Sequence, residues 1–297
     1  MSVKKDKIGI IGGSAVVGFE GIKRVKEVTV RTPFGMPSDK LTTGVYEGVD
    51  VVFLPRHGKG HRIPPNQVNY RANICALKML GVTRVVTVSA VGSMKEEIKP
   101  GHLVVPHQYY DRTICRQRSF FDDGIVAHVM FADPICLDLS KILADCARRT
   151  GVVVHEGGTY ICIDGPQFST KAESRVFRSY GVDIIGMTGL PEARLAREAE
   201  MCYATLALST DYDCWHESEE SVNSAMVVEV MMKNIEKARE VLKLVIPELG
   251  KAGEIKCGCG KALENSIVTD PKKITPAIRK RLRPIAGRYL EPSKRGK

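Results

Sequence analysis

Tyr203-Ala204-Thr205-Leu206-Ala207-Leu208, running on through Ser209-Thr210 to Asp211-Tyr212-Asp213-Cys214-Trp215, is an apolar run that breaks off in two carboxylates. A short apolar run without polar alternation fits a strand buried on both faces, the kind found in parallel sheets. Strand side chains alternate with period two, so Asp211 and Asp213 are expected on one side, at the lip of the sheet. In open α/β proteins that lip, at the carboxyl ends of the strands, is where small ligands bind. An acid placed there can grip the polar edge of a ligand or manage a proton. Taken alone, Asp211 reads equally well as a turn acid capping the next helix.

Outward from this stretch, further buried strands are expected near Lys7–Ile11, Val51–Leu54, Arg84–Val88, His102–Val105, Thr159–Ile163 and Asp183–Met187. Helical periodicity lies between them. Asn66–Leu80 carries Val68, Ala72, Cys75, Ala76, Met79 and Leu80 on one face, and Met226–Ile246 carries Val227, Val230, Met231, Ile235, Ala238, Val241, Leu242 and Val245. Pro134–Thr150 ends before Gly151, Lys171–Tyr180 stops at Gly181, and Glu192–Met201 follows Pro191. Strands alternating with helices imply an α/β protein, a single domain with a central mixed, mostly parallel β-sheet flanked by helices. No composition break precedes residue ~250, so residues 1–250 are read as the catalytic domain and 251–297 as a Cys-x-Cys segment with a basic C-terminal extension.

The net charge of +10 invites a nucleic-acid reading until it is located. Ten Lys and Arg against two Asp and Glu fall within residues 270–297, which leaves a nearly balanced body. Ile274, Ile278, Leu282 and Ile285 sit there at helical spacing, so a short amphipathic helix is expected, either solvated or docking on a subunit. Stacking aromatics are nearly absent, and no nucleic-acid partner is expected. No stretch is long enough for a membrane span and the N-terminus has no signal-like apolar region, so the expected location is cytoplasmic. None of the nine cysteines falls in a Cys-x-x-Cys pair, so no metal is expected. Cys257-Gly258-Cys259 is open to two readings, a strained disulfide or two thiols.

Four more strand ends carry candidate chemistry. Ile11-Gly12-Gly13-Ser14 pairs close-approach glycines with a hydroxyl; it lacks the Walker lysine and the third glycine of a dinucleotide fingerprint, and a tight turn without ligand fits it as well. Five of the seven residues from Arg56 to Arg62 are basic, which suits an anion site or a solvated loop. Val88-Ser89-Ala90-Val91-Gly92-Ser93 offers amides and hydroxyls for an oxyanion. Ile185-Gly186-Met187-Thr188-Gly189 adds a donor and a flexible apolar plate, or is a glycine-lined turn. Anion donors and carboxylate acceptors at neighbouring strand ends describe a site for inorganic phosphate beside a nucleoside.

At these residues the chain resembles the trimeric purine nucleoside phosphorylase family, and within it the 5′-methylthioadenosine phosphorylases. The resemblance runs in order from Lys7 to about Gly250. It includes Ile10–Ser14, Thr32-Pro33-Phe34-Gly35-Met36-Pro37-Ser38, Arg56-His57-Gly58, Val68–Ile74, Gly92–Ile98, Gly165-Pro166-Gln167-Phe168-Ser169, Ala172-Glu173-Ser174 and Thr210–Trp215. It implies a phosphate site from Ser14, Arg56, His57, Ser89, the Ala90 amide and Thr188. It also implies ribose against Met187, purine against Phe168 with Ser169 nearby, and Asp211 facing N7 and the 6-amino group with support from Asp213. The 5′-methylthio pocket would use Val227 and Val228 and, across a subunit boundary, His61 and His128. The stretch Asn223-Ser224-Ala225-Met226 departs from the family pattern there.

Relatives that act on 6-oxopurines carry Asn where Asp211 stands and Glu where Ser169 stands. A carboxylate accepts from a 6-amino group and repels a 6-oxo group, so the resemblance implies phosphorolysis of methylthioadenosine to adenine and 5-methylthioribose 1-phosphate. Asp211 would share a proton with N7 of the leaving purine. Phosphate would be a co-substrate, with no cofactor, and a homotrimer or hexamer would place the sites at subunit interfaces. Two alternatives remain at this point: a broader phosphorylase taking adenosine and inosine, and a non-catalytic nucleoside- or phosphate-binding protein. The Cys-rich tail is similar to that of archaeal, heat-adapted members, which implies disulfides Cys136–Cys202 and Cys257–Cys259.

Overall fold

The parallel heart of the molecule is built from four long, largely buried strands. In the computed structural model, which describes residues 6–13, 16, 18–216, 224–253 and 257–290, these are β1 (Lys7–Gly12), β4 (Val49–Pro55), β5 (Val82–Ser93) and β11 (Cys202–Asp211). They run side by side and parallel in the order β4-β1-β5-β11. Alternation sorts their side chains onto two faces. Ile11, Leu54 and Val85 join one hydrophobic cluster, while Ile8, Ile10, Phe53, Val86 and Leu206 join the other.

Helices cover both faces. Of the helices, α1 (Tyr70–Met79), α4 (Glu192–Glu198) and α6 (Pro276–Leu290) contribute to the first cluster through Ile74, Leu77, Leu195, Leu282 and Ile285. The helices α2 (Leu137–Arg148) and α5 (Ser224–Lys251) contribute Leu139, Leu143, Val241 and Leu242 to the second. Asn69 caps α1 by accepting the Ala72 N–H at 3.1 Å, so the helix begins later than its apolar pattern, and Pro65–Gln67 forms a short 3-10 turn instead. Helix α3 (Lys171–Ser179) opens on a capping box between Thr170 and Glu173.

Four strands escape the periodicity reading. The first two are β2 (Lys23–Val28), which is almost wholly exposed and charged, and β3 (Leu41–Tyr46); they add antiparallel to β4 as a sheet edge. Charge along an edge strand discourages further pairing, which is why β2 reads as a loop. β7 (Gln108–Arg112) and β8 (Val154–Glu156) are polar or only three residues long and exist through their neighbours, β9 (Thr159–Ile163) and β6 (Leu103–Val105). The sheet is mixed: β10 (Ile184–Gly186) is parallel to β9 and antiparallel to the end of β5, and β6 is antiparallel to β11.

Long β5 branches the sheet. Its body lies between β1 and β11, while Gly92 and Ser93 reach across to β10. The β5–β11 register slips between Ser209 and Asp211, leaving Thr210 as an extra residue opposite the Val91–Gly92 step. Such a bulge re-aims the side chains beyond it.

The C-terminal segment folds back on the body. Ile274, Ile278, Leu282 and Ile285 are all buried, and α6 lies against α1 of its own chain. Arg281 pairs with Asp122 and Asp123, and Arg288 with Glu200, so part of the basic excess is balanced within the chain. Among the described residues no helix is long and apolar enough to cross a membrane.

Candidate active site

The strand ends converge on a cavity of about 520 Å³. Gly13 after β1, Arg56 and His57 after β4, Ser89 to Gly92 on β5, Met187 and Thr188 after β10, and Asp211 and Asp213 at the end of β11 all line it. Phe168 and Ser169, from the loop before α3, and Met231 and Ile235 on α5 complete the wall. Ser14 lies outside the described residues, though Gly13 and Val16 on either side of it line the cavity.

One end of the cavity is cationic and fixed. Arg56 is buried, and its guanidinium is held by a wholly buried carboxylate, Glu192, at the start of α4: Nε donates to Oε1 at 2.5 Å and Nη2 to Oε2 at 3.1 Å. Nη1 donates to the Val88 carbonyl at 3.0 Å and Nη2 also to the Thr87 hydroxyl. These bonds use four of the five guanidinium N–H groups and leave one on Nη1 for a ligand. Burial alone would lower the Arg56 pKa, but the charge and hydrogen bonds of Glu192 outweigh it and hold the guanidinium above its ordinary value. Beside it the Ser89 and Thr188 hydroxyls meet at 2.5 Å.

His57 sits in the same wall with Nδ1 2.9 Å from the Ile63 carbonyl, which must therefore accept a proton from it. Burial, then the nearby Arg56 charge, lowers its pKa to about 4. The ring is neutral at neutral pH, with Nε2 left as an acceptor. His61 stacks on it with centroids 4.3 Å apart and stands at the cavity rim of the same chain.

The opposite end is acidic and half-open. Asp211 closes β11 beyond the bulge, and its Oδ2 accepts from the Thr210 hydroxyl at 2.7 Å. Asp213 is not on the strand at all: it sits in the 3-10 turn Asp213–Trp215 with φ 54°. The two acids share a wall because the Asp213 N–H folds back to Asp211 Oδ1 at 2.8 Å, and not through period-two alternation. Asp213 is buried, its Oδ2 accepts from the Ser174 hydroxyl at 2.5 Å, and burial, partly opposed by that bond, raises its pKa. A Cβ on Gly92 would lie 2.9 Å from Asp211 Oδ1, so only glycine lets β5 pass this close to the carboxylate. Phe168 is 57% exposed at the mouth, and the buried Ser169 Oγ has no partner among the described residues.

Comparison with known proteins places this architecture. The model of the phosphorylase superfamily matches residues 7–247. The chain belongs to the phosphorylase superfamily. It is 51% identical over 284 residues to the S-methyl-5′-thioadenosine phosphorylase of Geobacter sulfurreducens, covering 95% of this chain and 99% of that one. It is 52% identical over 269 residues to that of Hyperthermus butylicus, covering 90% and 97%. A crystal structure of a methylthioadenosine phosphorylase from an Antarctic soil metagenomic library superposes with a TM-score of 0.90 at 44% identity, covering 95% and 99%. The methylthioadenosine phosphorylase of Schistosoma mansoni in complex with adenine gives 0.83 at 39%, covering 88% and 99%.

Within this phosphorylase chain, some expected residues fall elsewhere. Val227 and Val228 belong to the first turns of α5, where side chains lie outside the described residues; Met231 and Ile235, further along the helix, face the cavity. His128 is on the surface, bonded through its N–H to the Ser266 carbonyl at 2.8 Å, and does not line its own chain's cavity. Glu192 and Ser174, which hold Arg56 and Asp213, were missed as site residues. Pro191-Glu192 reads as an ordinary helix start, and nothing in a sequence says which distant cation such a carboxylate will meet. The two expected disulfides are not formed. All nine cysteines are free thiols, and the four in question gather in one place away from the cavity.

Proposed function

We propose that this phosphorylase cleaves 5′-methylthioadenosine with inorganic phosphate, giving adenine and 5-methylthioribose 1-phosphate. The observation that carries the reading is one cavity with a fixed cationic and hydroxyl wall at one end and two carboxylates at the other. Phosphate takes the first end: the remaining Arg56 N–H, the Ser89 and Thr188 hydroxyls, the Ala90 amide and Ser14 donate to it, and neutral His57 Nε2 accepts from a protonated phosphate oxygen. The ribose lies against Met187 and the purine against Phe168, with the unpartnered Ser169 hydroxyl at its edge.

The C–N bond loosens toward an oxocarbenium ion, Asp211 shares a proton with purine N7 so that adenine leaves neutral, and phosphate oxygen bonds C1′ from the opposite face. One bond breaks and one forms with inversion to the α-1-phosphate. The exchange is redox-neutral, and inorganic phosphate is its co-substrate. Asp213, bonded to Ser174, sets the backbone against which Asp211 is held.

Preference for the 6-amino purine follows from the Asp211 carboxylate, and the name of the relatives supports a methylthio group at the 5′ position. His128 serves a neighbouring subunit's cavity in a cytoplasmic homotrimer or hexamer, and residues 1–250 carry the chemistry. Rates of phosphorolysis of methylthioadenosine, adenosine and inosine, measured side by side, test the specificity. Methylthioadenosine is expected first and inosine last by orders of magnitude. Comparable rates on inosine would replace the reading by a broad phosphorylase.

A further inference from the structure

Four cysteines that lie 123 positions apart in the chain at their extremes, Cys136 to Cys259, meet at one point on the α2–α5 face of the sheet. Cys136 precedes α2, Cys202 opens β11, Cys257 immediately precedes the 3-10 turn Gly258–Lys261, and Cys259 lies within it. All four sulfur atoms lie within 4.8 Å of one another, and Cys202 and Cys257 Sγ are 3.3 Å apart. Cys136, Cys202 and Cys259 are buried, Cys257 half-buried. From this geometry we infer that Cys136, Cys202, Cys257 and Cys259 form a structural tetrathiolate site for Zn²⁺.

The dimensions fit. A tetrahedral zinc with Zn–S of about 2.3 Å sets its ligand sulfurs about 3.8 Å apart, inside the spread seen here. The donor set fits as well, because four thiolates in a closed arrangement suit a soft or borderline ion such as zinc and not the oxygen-seeking Mg²⁺ or Ca²⁺. Binding deprotonates the ligands: four S–H bonds give four Zn–S bonds and release four protons to solvent. Four thiols serving only as small apolar groups would have no reason to point at one another from three separate segments.

The segments are also fixed independently of any ion. The Cys136 N–H donates to the Tyr203 carbonyl at 2.9 Å, which ties the start of α2 to β11. The Glu200 carboxylate, two residues before Cys202, accepts from the Leu263 N–H at 3.1 Å and from Arg288 at 2.7 Å, while Arg288 also donates to the Gly260 carbonyl at 2.6 Å. The cysteine turn is thereby held against the root of β11 before metal arrives, as a preorganised site requires. The spacing rule excluded zinc because it looks for paired ligands close in sequence; here one pair is Cys-x-Cys and the other two ligands come from distant elements. The role that follows is a staple between the C-terminal segment and the root of the strand that ends in Asp211.

The full-length protein, reduced anaerobically, is incubated with one equivalent of Zn²⁺, desalted and analysed for metal. One zinc per chain is expected, retained in Cys115→Ser, whose thiol is exposed and outside the cluster, and lost in Cys202→Ser and Cys259→Ser. If those variants fail to fold, Co²⁺ on the unaltered chain decides: a tetrathiolate gives intense visible d–d bands with a thiolate-to-cobalt charge-transfer band. Absence of stoichiometric zinc, zinc that survives Cys259→Ser, a weak octahedral cobalt spectrum, or two intramolecular disulfides in protein isolated under reducing conditions would each overturn the site.

Discussion

The two ends of the cavity are built on different principles. At the end proposed for phosphate, Arg56 and Glu192 are buried together, and the Ser89 and Thr188 hydroxyls already meet each other before a ligand arrives. At the end proposed for the purine, Phe168 is largely exposed, the Ser169 hydroxyl has no partner among the described residues, and Asp211 accepts from the Thr210 hydroxyl and the Asp213 N–H. A small, highly charged anion offers little binding surface and is best met by dipoles that need no reorganisation. A flat heterocycle offers area, and its end of the site can stay open until it docks. The contrast predicts that damage at the phosphate end costs folding as well as activity, and damage at the purine end costs activity alone.

The largest effect is expected at the purine end, from Asp211→Ala. Removing the group that shares the leaving-group proton should lower kcat by about 10²–10⁴-fold with little change in KM for phosphate or in the denaturation midpoint. A variant equally impaired in phosphate KM would blur the division between the ends. At the phosphate end, Glu192→Gln leaves a buried guanidinium without its counter-charge. A loss of about 3–5 kcal/mol in unfolding free energy is expected, with a raised KM for phosphate, both measurable by denaturant titration and steady-state kinetics.

His57 ties the phosphate end to pH. Its folded pKa, about 4, lies below the ordinary 6.5, so the unfolded chain binds a proton that the folded site refuses. Its contribution is complete above about pH 6.5 and is lost as pH falls toward about 4, amounting to roughly 3 kcal/mol over that window. His57→Asn should flatten this limb of the stability–pH curve; an unchanged slope would show that other groups set it. The smallest effect belongs to Ser169→Ala, which should weaken adenine nucleoside binding by about 1 kcal/mol and leave stability untouched.

The same contrast explains what could be read from the chain. The four buried parallel strands carry their own apolar signal, and each ends in glycines, hydroxyls or charges that cannot serve a core, so the lip of the sheet was legible. The resemblance then supplied roles for Arg56, Ser89 and Thr188 that the residues alone left open. Strand β2 was not legible, because Lys23–Val28 holds its shape through pairing with β3 and not through side-chain burial. The route that brings Asp213 beside Asp211 was misread as strand alternation, since a one-residue bulge at Thr210 leaves no mark in composition. Glu192 and the four-cysteine cluster share one cause of invisibility: both depend on partners far away in sequence, and only the fold supplies the register.

The most direct test of the central claim is a ³¹P NMR assay of methylthioadenosine with and without inorganic phosphate. The expected result is an α-configured sugar 1-phosphate appearing in step with adenine, and no adenine when phosphate is withheld. Adenine released at the same rate without phosphate, with free sugar as its co-product, would contradict it.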